Sequence, residues 1–201
     1  MTANGIDATG RWPRYTLAQR LVHWLVAVLA LLTLGIGLTL GWLGFEGARD
    51  AFGLGATNAL YIAHKTIGVL LLVLMLARAA LRLYCGKPAY AVALARPQRI
   101  ASEIVHGLLY VLLLAMPVIG WMATAAGGFP INFFHWVLPP LIGENEALSE
   151  TLYTWHLGIG LAILALVSIH VAGALYHWLI RRDGVMQRMS LLPRRSTRAA
   201  R

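Results

Sequence analysis

Six of the seven histidines lie within apolar segments or at their ends, and two of them, His156 and His170, share one stretch from Thr154 to Ile180. Fourteen residues is close to four helical turns, so both imidazoles project from one face, about 21 Å apart along the axis at 1.5 Å per residue. That distance is most of a bilayer's hydrocarbon core of roughly 30 Å. His23 and His64 open two other apolar segments. Ionisable side chains at membrane depth are costly and mark functional positions by default. Four imidazoles at two depths point to two metal or haem sites, one near each membrane surface.

Long helices must carry these side chains. The chain of 201 residues is 59% hydrophobic and only 12% charged, with a single cysteine, Cys85. A soluble domain would carry about twice that charge fraction. One cysteine excludes an internal disulfide framework and a cysteine-ligated iron–sulfur cluster. Four spans are legible, at about 20–43, 60–83, 104–126 and 152–180. Each has the length and apolarity to cross a bilayer. The expected fold is all-α, a four-helix transmembrane bundle forming one domain over 1–201. The first span is too long for a cleavable signal and is expected to stay. Pro117, inside the third span, should kink it.

Arg11, Arg14 and Arg20 precede the first span. Arg78, Arg82, Lys87, Arg96 and Arg99 end or follow the second, and Arg181, Arg182, Arg188, Arg194, Arg195, Arg198 and Arg201 follow the fourth. The other side holds Arg49 and Lys65 among Glu46, Asp50, Glu144, Glu146 and Glu150. The positive-inside rule therefore places both termini in the cytoplasm. The net charge of +9 reads as a topology signal. Arginines that border spans do not make a nucleic-acid surface, and the basic tail reads as a segment near anionic lipid.

Topology pairs the histidines by depth: His64 with His156 near the outer surface, His23 with His170 near the cytoplasmic one. Haem needs only two protein ligands, one on each face. Zinc takes three or four, and no acid or thiol lies at those depths. Bis-histidine iron is six-coordinate and suits electron transfer. Gly37, fourteen residues after His23, and Gly68 and Gly160, one turn beyond His64 and His156, could let a macrocycle approach the backbone. Arg78, fourteen residues after His64, could hold a propionate at the inner site. His170 is deeper than its competitor His177 and is preferred as the ligand. His106, after Glu103, is a candidate inner ligand, quinone contact or proton carrier, with an interface-snorkelling histidine as the plainer alternative. His135, in Phe133–Trp136, is expected at the outer interface.

The chain resembles the bacterial cytochrome b561 family of small di-haem membrane proteins. The resemblance rests on Arg20-Leu21-Val22-His23-Trp24, Ile62-Ala63-His64-Lys65 and Leu76-Ala77-Arg78-Ala79-Ala80-Leu81-Arg82-Leu83. It continues through His106-Gly107-Leu108-Leu109-Tyr110, Ala115-Met116-Pro117-Val118-Ile119-Gly120, Trp155-His156, and His170 with His177, Met189 and Pro193. It implies two b haems, one held by His23 with His170 and one by His64 with His156, in the bacterial inner membrane. Some members are similar to a superoxide oxidase that passes electrons to ubiquinone. Others serve as haem subunits for a dehydrogenase or another periplasmic donor. Lys65 and Arg49 could guide superoxide, a small anion, though Glu144, Glu146 and Glu150 oppose them. His106, Glu103 and His177 could hold a quinone headgroup at the inner side, with Lys65 and His135 as the outer alternative. The leading expectation is a superoxide:ubiquinone oxidoreductase. The alternatives are an electron-transfer subunit for a protein donor and a haem-free structural or transport protein.

Overall fold

A computed structural model describes residues 13–88 and 94–192. Arg11, Pro193 and the arginines from Arg194 onward lie outside the described residues. Four helices follow in order: α1 (Leu17–Phe52), α2 (Leu54–Cys85), α3 (Arg96–Ala126) and α4 (Glu146–Leu175). A hairpin of β1 (Ile131–Phe133) and β2 (Trp136–Leu138) joins α3 to α4, and a π-helical turn, Tyr176–Arg181, extends α4. With that turn, all four helices are long and apolar enough to span a membrane. Their outward faces carry residues such as Leu21, Leu25, Val28, Val73, Leu76, Val111, Leu161 and Ile169. Such an apolar exterior suits lipid, which leaves no backbone group to be satisfied by water.

Local chemistry sets the helix ends. Thr16 and Gln19 form a reciprocal capping box at the start of α1. The Gln19 amide also donates to the carbonyls of Leu81 and Gly86, tying α1 to the end of α2. Gly44 (φ 65°) breaks α1 internally, one residue after the sequence reading ends its first span. Only glycine adopts that backbone freely. Gly53 (φ 80°) alone separates α1 from α2. Asn145 caps α4 by accepting from Leu148 N–H. Asn145 N–H donates to the Ala126 carbonyl, and the buried Ser149 hydroxyl donates to that of Ala123. The start of α4 is thereby fastened to the end of α3. Pro117 lies inside α3, which continues on both sides of it.

The packing is uneven. α1 packs closely on α2 and α3 on α4, whereas α1 touches α4 sparingly and α2 and α4 form no packed pair. A small core of Val26, Leu71 and Met75, with Val22, Leu29, Ile67, Tyr110 and Leu113 around it, joins α1, α2 and α3 without α4. Between α4 and the α1–α2 pair, imidazoles meet instead. The end bearing the start of α1 and the end of α4 is called the basic end below; the other is the hairpin end.

Candidate functional site

The four histidines meet in two pairs. The rings of His64 (α2) and His156 (α4) have centres 6.0 Å apart, with planes 72° from parallel. Those of His23 (α1) and His170 (α4) are 6.3 Å apart at 78°. An imidazole nitrogen bonds a first-row metal at about 2.0 Å and lies about 1.1 Å from its ring centre, so two rings on opposite sides of one metal have centres about 6 Å apart. Both pairs match that span. His106 also meets His170, but at 4.9 Å, too close for two rings on opposite sides of one metal. Distance thus separates the ligand candidates from their neighbour where sequence left His106 open.

One further observation fits a bound haem. Among the described residues, no three His, Cys, Asp or Glu side chains converge as a metal cage would require. The donor set is therefore two imidazoles at each depth, the set that a six-coordinate haem iron takes.

At the hairpin end each imidazole rests against a glycine of the neighbouring helix. A β-carbon on Gly37 would lie 2.7 Å from His64 Cε1, and one on Gly120 the same distance from His156 Cε1. His64 also lies beside the Thr33 carbonyl, one turn before Gly37, and His156 beside that of Met116, one turn before Gly120. The space at Gly37 thus takes the histidine ring itself. Gly120 was quoted in the sequence only as part of a motif. No helical-wheel argument within one chain segment could find it, because its partner ring comes from another helix. Gly160 is buried against Met116, and a β-carbon on Gly68 would meet nothing within 4 Å.

At the basic end Arg78 lies within electrostatic reach of His23, His106 and His170. Its guanidinium sits over the Tyr110 ring, 5.2 Å from the centre. No hydrogen bond to it is formed among the described residues. Five N–H donors beside a histidine pair form a ready partner for a carboxylate. His106 Nδ1 is 2.6 Å from the Ser102 carbonyl and donates to it. Glu103 is exposed. His177 is held by Asp183, at 2.7 Å. Thus His106, Glu103 and His177 lie at one end of the bundle but share no hydrogen bond.

The two cations at the hairpin end are both engaged. Arg49 pairs with Glu46 at 2.5 Å and Asp50 at 3.3 Å. Lys65 Nζ donates to the Pro130 carbonyl at 2.7 Å, and Thr66 Oγ1 donates to that of Asn132. The residues just after His64 therefore fasten the segment around β1. His135 is exposed in the hairpin turn, with its ring 4.5 Å from Trp136.

Comparison with known proteins points to one family. The sequence profile of prokaryotic cytochrome b561 matches residues 14–190. Cytochrome b561 homolog 2 of Escherichia coli K12 is 27% identical, over 88% of this chain and 90% of that protein. A probable superoxide oxidase CybB of Yersinia pestis is 25% identical, over 88% and 95%. Cytochrome b562 of Cereibacter sphaeroides is 28% identical, over 88% and 95%. A four-helix membrane chain matched across nearly its whole length belongs to the prokaryotic cytochrome b561 family, whose members are haem b electron-transfer proteins of the membrane.

Proposed function

We propose that this chain holds two b haems, one between His64 and His156 and one between His23 and His170, and moves electrons between the hairpin end and a quinone at the basic end. The observation that carries the reading is the pair of ring spacings, 6.0 and 6.3 Å, at depths about four helical turns apart on α4. Bound haem supplies a one-electron iron couple at each depth. The protein's part is to fix the two imidazoles, keep water out with the α1–α2–α3 core, and offer Arg78 to a propionate. Positive-inside topology places the basic end in the cytoplasm of a bacterial inner membrane and the hairpin end outside.

Superoxide is the most concrete donor, with ubiquinone as acceptor. A relative carries the name of a probable superoxide oxidase, and Lys65 adjoins His64. A second reading, a periplasmic protein donor, is favoured by the acidic character of the hairpin end, where Glu46, Asp50, Glu144, Glu146 and Glu150 outnumber Arg49 and Lys65. Stopped-flow mixing of the oxidised holoprotein with superoxide, with and without ubiquinone, tests the choice. Fast haem reduction followed by reoxidation by quinone supports the oxidase. A haem that superoxide leaves oxidised, but that a periplasmic protein reduces, supports the second reading.

A further inference from the structure

The end of α4 carries a buried hydrogen bond between His177 and Asp183 that the haem sites do not use. Six residues along an ordinary α-helix would place 177 and 183 about 120° apart around the axis and about 9 Å apart in height. Here they touch. The chain widens into the π-turn at Tyr176–Arg181, and Arg182 takes a left-handed backbone (φ 50°). Gly184 follows at φ 82°. A π-turn is rare and often functional, and a left-handed arginine is uncommon. Together they fold Asp183 back so that its Oδ2 lies 2.7 Å from His177 Nδ1. The Asp183 side chain is only 5% exposed and that of His177 15%. Asp183 Oδ1 accepts from Val185 N–H.

We infer that Asp183 is the positioning residue for His177: it accepts the Nδ1 proton and so presents Nε2 as the atom that exchanges a proton with a quinone headgroup. The inference rests on the reading that the quinone binds at the basic end. Reduction of a quinone to its quinol takes two electrons, passed one at a time through the neighbouring one-electron haem couple, and two protons. In the Nδ1–H tautomer, which Asp183 accepts from, Nε2 is unprotonated. It takes a proton from water, passes it to a quinone oxygen and returns to the same tautomer, and the second O–H proton follows by the same route. The charged groups packed about the pair are Arg181, whose Nε is 3.9 Å from Asp183 Oδ2, Arg182 on the same turn, and Arg188 on the adjoining 3-10 turn. Arg188 also donates to the Pro88 carbonyl and lies over the Tyr15 ring.

Two readouts test the inference on the full-length holoprotein, with haem content as the folding control. Nitrogen-15 NMR of histidine-labelled, dithionite-reduced protein reads the His177 tautomer. Stopped-flow with decylubiquinol reads haem reduction across pH. The expected result is a single Nδ1–H tautomer that is lost in Asp183→Leu and restored in Asp183→Glu. Quinol-driven reduction should slow about tenfold in Asp183→Leu with a displaced pH profile, while dithionite reduction is unchanged. Asp183→Asn, which keeps the shape and removes the charge, should fall between and serves if the leucine variant loses its haem. An unchanged tautomer in both Asp183→Leu and Asp183→Asn overturns the inference. Slowing in His177→Gln without slowing in either Asp183 variant overturns it alone. Unaltered quinol kinetics in all three overturn the quinone placement beneath it.

Discussion

The Cε1 atom of His64 on α2 lies 2.7 Å from where a β-carbon on Gly37 of α1 would stand. The imidazole at the hairpin end is thus seated on the backbone of a neighbouring helix, and His156 repeats the arrangement on Gly120 of α3. A glycine facing another helix here sets where a ring can stand, not how the chain turns.

Alanine at Gly37 or Gly120 would collide with that ring. Alanine in place of helical glycine ordinarily stabilises by up to about 1 kcal/mol, so any loss comes from the displaced imidazole, and overpacking costs about 1–3 kcal/mol. We expect Gly37→Ala and Gly120→Ala each to lower occupancy of the hairpin-end haem and spare the other. Gly35→Ala, with open space about its β-position, should lower neither. Haem content of the purified variants, read by absorption, checks this.

Arg78 is a guanidinium inside the bundle with an aromatic face beneath it and three histidines in reach. If it holds a propionate, losing that charge-assisted bond costs about 1.5–3 kcal/mol. We expect Arg78→Ala to weaken retention of the basic-end haem or to move its midpoint potential, and Arg78→Lys to recover only part, since an ammonium lacks the planar fork. Redox titration of the two haems is the measurement. An unaltered potential and full retention in Arg78→Ala contradict the role.

Arg49 and Lys65 should behave differently toward superoxide. The charge of Arg49 is already answered by Glu46 and Asp50, so Arg49→Gln should leave the rate of haem reduction within about a factor of two. Lys65 adjoins the proposed ligand His64 and fastens the segment around β1. Lys65→Gln should slow the reaction, and added salt should shrink the difference, because electrostatic reach falls to about 8 Å at 0.15 M. Stopped-flow rates at two ionic strengths decide between them.

Much of this was legible in the sequence because a membrane simplifies the problem. Long apolar runs gave the four spans, and Gly44 ends the first helical stretch where the pattern stops. A periodicity of fourteen residues placed His156 and His170 on one face, and depth alone suggested which partner each would meet. What could not be read was contact between helices. Gly120 has meaning only through a ring from α4, and His106 could be set apart from the ligands only by its 4.9 Å distance to His170. Asp183 lay in a basic segment beyond the last span. Its closeness to His177 depends on a π-turn and a left-handed residue that no hydropathy pattern announces. The engagement of Arg49 and Lys65 by local partners was equally hidden, since charge counts do not show which charges are already paired.

The most direct test of the central claim is the number of haems per chain in the purified protein and in His64→Ala and His156→Ala. Two haems in the parent, falling to one in each variant with the basic-end haem's spectrum retained, is the result that two histidine pairs at two depths require. A ratio of two that survives either change, or a parent that carries a single haem, would contradict it.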